Sequence, residues 1–237
     1  MPLLELHDLA AGYRPHHPVV AGVDLTVRAG ETLGLLGASG SGKSTIGHAV
    51  VGLVRPAGGR ILFRGEDITH AGARRRRALS RHLQIVFQDP HGSLNPSRTI
   101  GSTLAEPLRV VHRLPRRAAG ERVADVLTRV GLSPAAAARY PGSFSGGQLQ
   151  RIAIARALVP EPDLVVCDEP TSALDLSVQA QILNLLLDLQ QQLGLSYLFI
   201  SHDTDVVRFF CHRTVFLRDG RLTEPAATSD LVSGKEG

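Results

Sequence analysis

The chain carries Gly37-Ala38-Ser39-Gly40-Ser41-Gly42-Lys43-Ser44-Thr45 directly after the apolar run Thr32-Leu33-Gly34-Leu35-Leu36. No other segment narrows the possible folds as much. An apolar run, a glycine-rich loop and then Lys-Ser-Thr is a strand feeding a phosphate-binding loop and a helix, the Walker A pattern in full. Glycines let backbone N–H groups close around phosphate oxygens, Lys43 reaches the terminal phosphates, and the Ser44 hydroxyl is a ligand for Mg²⁺. The alternative is an ordinary Gly/Ser turn before a helix. It leaves Lys43 unexplained, because a cation beside a helix N-terminus opposes the helix dipole unless an anion sits there.

A loop of this kind belongs to a sheet flanked by helices, and the chain can build one. Its 237 residues suffice for one large domain or a core with a modest subdomain. With 4% aromatics, no Trp and one Met, the core must come from Leu, Val, Ile and Ala, which suits α/β layers. Cys167 and Cys211 are far apart and lack metal-ligand spacing, so neither a disulfide framework nor a zinc site is expected, and a reducing compartment is. The N-terminal residues, with Glu5 and Asp8, do not read as a secretory leader. No stretch approaches the roughly 18 apolar residues of a membrane span, which places the chain in the cytoplasm. The net charge of +4 comes mostly from arginine, including Arg74 to Arg77 and Arg81. That run reads as a solvated helix face rather than a nucleic-acid patch, since no aromatics are interleaved for base stacking. It also suits attraction to an anionic membrane surface.

Short apolar segments at Leu3 to Leu9, Val19 to Arg28 and Arg60 to Phe63 predict a small β layer. From Asp89 to about Tyr140 the pattern becomes helical, as in Ala118 to Val130, broken by Pro96, Pro107, Pro115, Pro134 and Pro141. The order then reads helix, strand, helix, strand, helix. Leu164 to Cys167 and Leu198 to Ile200 have the composition of strands buried on both faces. Between them Val178, Ile182, Leu185, Leu186, Leu189 and Leu193 form one helix stripe ended by Gly194. Strands alternating with helices imply a right-handed parallel sheet, with ligands at the strands' carboxyl ends. The tail Ser233 to Gly237 is expected to fray.

Two further segments carry chemistry. Asp168 and Glu169 end the apolar run from Leu164, where an unpaired buried charge is costly. Either this is a polar exit from a strand, or Asp168 holds a Mg²⁺ shell through water while Glu169 polarises an attacking water. The upstream loop favours the second. Ser145-Gly146-Gly147-Gln148 opens the helix Leu149 to Leu158, and Ser with Gln three residues on makes a capping box. Two glycines in the first turn each cost about 1 kcal/mol relative to Ala, so capping alone does not explain them; bare N–H groups there make a second anion site.

Phe144-Ser145-Gly146-Gly147-Gln148, followed by Gln150-Arg151-Ile152-Ala153-Ile154-Ala155-Arg156-Ala157, resembles the signature segment of ATP-binding cassette proteins. Other motifs of that family follow in order over nearly the whole chain. By that resemblance Tyr13 stacks on adenine, and Gln88 links the metal and γ-phosphate to a membrane partner. Ser172 to Asp175 is similar to the D-loop, with Asp175 communicating across a dimer, and His202 is similar to the switch histidine that contacts the γ-phosphate. Taken singly, Tyr13 reads as a surface aromatic, Gln88 with Asp89-Pro90 as a turn, Asp175 as an N-cap and His202 as a satisfied polar residue; the other nine histidines show no ligand spacing. Phe144 stands where the family usually has Leu. Gln84 to Pro90 with Ser93 to Pro96 is similar to the oligopeptide, dipeptide and nickel uptake branch, and the chain's end soon after Leu231 resembles the shorter, nickel-type members at least as much as the peptide ones.

The resemblance implies an α/β P-loop NTPase: a RecA-like parallel sheet core, an N-terminal antiparallel β subdomain and an inserted α-helical subdomain. All belong to one nucleotide-binding domain over 1–237, with 1–88 and 156–237 as the core and about 89–155 as the helical subdomain. It implies ATP and Mg²⁺ as cofactors, with Lys43, Gln88, Glu169 and His202 in catalysis and Ser44, Gln88 and Asp168 at the metal. A second cassette, in a homodimer or heterodimer, would complete each site with its Ser145 to Gln148. Permease subunits and, indirectly, a solute-binding protein would be partners at the cytoplasmic face of the membrane. The competing expectation is a soluble cassette ATPase acting on nucleic acid or ribosomes, motivated by the arginine run.

Overall fold

A computed structural model describes residues 2–14 and 17–226; the expected fraying of Ser233 to Gly237 lies outside the described residues. β1 (Pro2–Ala11) and β2 (Val20–Arg28) precede β3 (Thr32–Leu36) and α1 (Lys43–Val51). Next come β4 (Pro56–Phe63), β5 (Glu66–Asp67), α2 (Ala73–Leu79) and β6 (Leu83–Val86). α3 (Ile100–Val110), α4 (Arg116–Arg129) and α5 (Gly146–Leu158) form a helical stretch. Then follow β7 (Leu164–Asp168), α6 (Leu176–Leu193), β8 (Ser196–Ser201), α7 (Thr204–Phe210), β9 (Arg213–Arg218) and β10 (Arg221–Ala226). One sheet is antiparallel in the order β2-β1-β4-β5. The other runs β10-β9-β3-β8-β7-β6 and is parallel from β9 to β6, with β10 antiparallel on its edge.

The central parallel strands β3, β7 and β8 are buried on both faces, and the period of two divides their side chains between two cores. Leu33, Leu35, Leu164, Val166, Leu198 and Ile200 point into a core shared with the antiparallel sheet and Ile46, Ala49 and Val50 of α1. Val165, Cys167, Tyr197 and Phe199 point the other way, into a core built with α3 to α7. α1 sits tight on its side. A Cβ at Gly47 would lie 2.8 Å from Val166 Cγ1 and 2.9 Å from Ile200 Cδ1, so the absent side chain lets the helix press against β7 and β8.

The fold class expected from the sequence is the one observed, with local corrections. β6 ends at Val86, which leaves Gln88 two residues beyond the strand. Pro107 does not break α3 but sits in its last turns, where burial of Ile100, Leu104 and Leu108 holds the helix despite a lost backbone bond. Pro115 caps α4, and Pro134 and Pro141 open short helical turns, as a residue with fixed φ and no donor should. In the α6 stripe Ile182, Leu185, Leu186 and Leu189 are buried, whereas Leu193 is 41% exposed. The arginine run lies on α2, and Arg76 is not on a solvated face: it donates to the carbonyls of Ile68 (2.8 Å) and Thr69 (3.3 Å), and burial lowers its pKa.

Candidate functional site

Lys43, Glu169, His202 and Gln88 follow β3, β7, β8 and β6, four neighbours in one parallel sheet, so the topology delivers them to the same edge. At that edge Gly42, at φ 104°, is the N-cap of α1 and offers no capping side chain, which leaves the first N–H groups of the helix open to an anion. Gly37 has no room for a Cβ, which would strike the carbonyl of Leu217 in β9. The Ser41 hydroxyl is buried without a hydrogen-bond partner. Lys43 is 4% exposed, and its Nζ donates to the carbonyls of Gly37 and Ala38, both at 2.8 Å. Burial lowers the pKa of this ammonium, against the opposing charges of Glu169 and Asp168. An open cavity of about 750 Å³ lies between Gly37 to Ser41 and Phe216 to Gly220, the end of β9 and the turn after it. Open N–H groups, an orphaned hydroxyl and a buried cation fit a polyphosphate.

Across from the loop, Ser44 Oγ donates to Asp168 Oδ1 at 2.8 Å. Glu169 turns out of β7 at φ 46°, a conformation unfavourable for a side-chain-bearing residue, and its N–H donates to the Ile200 carbonyl at 3.0 Å. The turn aims its carboxylate inward. Glu169 Oε1 lies 3.9 Å from Lys43 Nζ and 3.1 Å from His202 Nδ1, and Gln88 Nε2 is 3.4 Å from Oε2. Among the described residues no cluster of three or more His, Cys, Asp or Glu could hold a metal ion. The Ser44 hydroxyl and Asp168 carboxylate are nonetheless hard oxygen donors, and so few protein ligands suit Mg²⁺, which takes its remaining ligands from phosphate and water.

Other expected site residues lie outside this cluster. Tyr13 is 61% exposed and lines a separate cavity of about 480 Å³ with Gly12, Arg14 and residues 53–57. Ser145 and Gln148 form the capping box with each other, Ser145 N–H to Oε1 at 3.1 Å and Gln148 N–H to Oγ at 3.4 Å. Gly147 faces Val178 on α6, not the phosphate loop. Asp175 is the N-cap of α6; bonds from the Val178 N–H (2.9 Å) and Ser177 hydroxyl (2.8 Å) lower its pKa. Thr45 is buried in the first turn of α1. Sequence reasoning missed His48, whose Nε2 is 3.5 Å from Asp168 Oδ2 and whose Nδ1 is 2.9 Å from the Tyr13 hydroxyl. The available signal was its position four residues after Ser44, on the same face of α1.

Comparison with known proteins gives a consistent picture. The profile of the ABC transporter family matches residues 20–172. A Brucella abortus protein provisionally named a peptide import ATP-binding protein is 49% identical over 234 residues, covering 96% of this chain and 70% of its own length. A similarly named Brucella ovis protein is 47% identical over 235 residues, with 98% and 74% covered. Among solved structures, cbiO1 from Clostridium perfringens, part of the ABC transporter complex cbiONQ, matches with TM-score 0.88 at 29% identity, covering 98% of this chain and 91% of that one. The ATP-binding cassette MJ0796, solved as a post-hydrolysis dimer bound to ADP and Pi, matches with TM-score 0.84 at 27% identity, covering 95% and 98%.

Proposed function

This chain belongs to the ABC transporter family, and we propose that it is the ATPase subunit energising import of peptides through a membrane permease. The family and the peptide import names of its Brucella relatives support ATP hydrolysis coupled to uptake, with peptide as the solute class. One observation carries the chemical part: Glu169 lies 3.9 Å from Lys43 and 3.1 Å from His202, beside a loop whose polar groups await an anion.

In this reading ATP lies along residues 37–45, with Lys43 and the N–H groups of α1 on its phosphates. Mg²⁺ would be held by Ser44 and Asp168 and would neutralise phosphate charge. Glu169 accepts a proton from a water as that water attacks the γ-phosphorus and ADP leaves. His202 orients Glu169 and contacts the γ-phosphate, and Gln88 carries the state of the site towards the permease. Ser145 to Gln148 take no part in the cluster around Lys43 and Glu169, so they are assigned to the site of a second subunit; the dimer formed by the MJ0796 cassette supports pairing of two subunits. Tyr13 is assigned to the nucleobase and Asp175 to the dimer interface. The helical stretch of about 89–155 is assigned to permease contact, with a solute-binding protein acting upstream. Among the described residues no helix is long and apolar enough to cross a membrane, and we place the protein peripherally, at the cytoplasmic face of the membrane.

Within the arginine run Arg75 pairs with Glu66 and Arg76 holds backbone carbonyls, and the comparisons offer the nucleic-acid reading no support. The proposal is tested by crosslinking in membranes from the source cell, then peptide uptake in vesicles reconstituted with the captured permease. ATP-dependent peptide uptake is expected. Recovery of soluble partners alone, or uptake indifferent to ATP, would contradict it.

A further inference from the structure

His48 has no role in the chemistry described above, yet it lies between Tyr13 and Asp168. Its Nδ1 is 2.9 Å from the Tyr13 hydroxyl, and its Nε2 is 3.5 Å from Asp168 Oδ2. The two rings meet edge to face at 6.4 Å between centroids and 81° between planes. On its other side His48 contacts the ring of Phe87, next to Gln88, at 6.1 Å. The imidazole is thus held by its own helix and an aromatic ring, with Nε2 buried near the Asp168 carboxylate but without a hydrogen-bond partner, and only 21% of its side chain is exposed. Nδ1 is the nitrogen that bonds the Tyr13 phenol, and this is the hydrogen bond that ties the imidazole to the loop.

Tyr13 is in the opposite situation. Its side chain is 61% exposed in the loop after β1, and among the described residues its hydroxyl bonds only to His48. A free aromatic on a loop samples several rotamers, and a stacking platform must be held in one to bind without an ordering cost. We propose that His48 is a positioning residue that holds the Tyr13 ring in place for a purine nucleobase, with α1 and the ring of Phe87 as its anchor. This inference rests on the reading that ATP is the ligand. It adds a residue, outside the nucleotide contacts named above, that sets how much the base contributes to binding.

The test compares ATP with inorganic tripolyphosphate, which has no base, by titration calorimetry of the full chain without metal. His48→Ala should weaken ATP about fivefold to tenfold, the worth of one hydrogen bond, with tripolyphosphate changed less than about twofold. Tyr13→Phe keeps the ring but loses the hydroxyl, so adding His48→Ala to it should cause no further loss of ATP binding. His48→Asn, which keeps a polar atom near the Nδ1 position, should restore most of the affinity, and its unchanged tripolyphosphate binding shows that the phosphate loop is folded. Equal losses for both ligands, or losses that add to those of Tyr13→Phe, would overturn the role of His48. Wild-type protein that binds tripolyphosphate but gains nothing from the base would overturn it as well. Wild-type protein that binds neither ligand would instead overturn the ATP reading, and this inference with it.

Discussion

Glu31 shows how far a single residue's role can lie from its sequence neighbours. Burial pushes its carboxyl pKa up, but the bond from Arg213 Nε (2.9 Å), the Arg28 N–H (2.7 Å) and their charges outweigh it, and the net shift is downward from 4.5. A folded-state pKa below the unfolded one adds stability that is complete above the unfolded value and is lost as pH falls through the folded value. Glu31→Gln should therefore lose about 1–3 kcal/mol at neutral pH and flatten the fall in stability below about pH 4.5. Urea midpoints at several pH values measure both effects; an unchanged acid slope would remove Glu31 as its source. The pair was invisible in the sequence because its partners are 182 residues apart and neither lies in a motif. Lys43, Ser44, Asp168 and Glu169 were legible because fixed spacings tie their chemistry to the ends of apolar runs. His48 was not, since its partners at 13 and 168 are joined to it only by the fold.

At the scale of elements, α1 is placed by the lack of a side chain at Gly47. Gly47→Ala gains up to about 1 kcal/mol of helix propensity but puts a Cβ 2.8 Å from Val166, an overpacking that costs about 1–3 kcal/mol. Net destabilisation is expected in urea unfolding. In the double variant with Val166→Ala the two losses should sum to less than they do separately; strict additivity would show that the contact is unimportant. Ser145→Ala should cost about 1 kcal/mol through loss of the capping box. The buried strands β3, β7 and β8 were legible from continuous apolar runs, and α6 from its stripe and Gly194. β9 and β10 were missed. Their apolar residues are interrupted by Arg213, Arg218, Asp219 and Arg221; β9 pairs with β3, far earlier in the chain, and β10 is an edge strand paired only with β9. Pro107 misled for a related reason, since tertiary burial of α3 outweighs a local breaker.

For the whole molecule, the loop and the Glu169 carboxylate come together in one chain, whereas the second glycine-rich helix start takes no part in that cluster, so activity should depend on association. ATP turnover per subunit should rise with protein concentration as dimers form, and a rate independent of concentration would favour a self-sufficient monomer. The central claim is that this edge of the parallel sheet hydrolyses ATP with Glu169 as the base. Glu169→Gln preserves size and hydrogen bonding while removing the proton acceptor, so it separates binding from chemistry. Measured side by side for binding and turnover with MgATP, the variant should bind as tightly as wild type while hydrolysis falls by about 10²–10⁴-fold. Undiminished hydrolysis by Glu169→Gln would contradict the account.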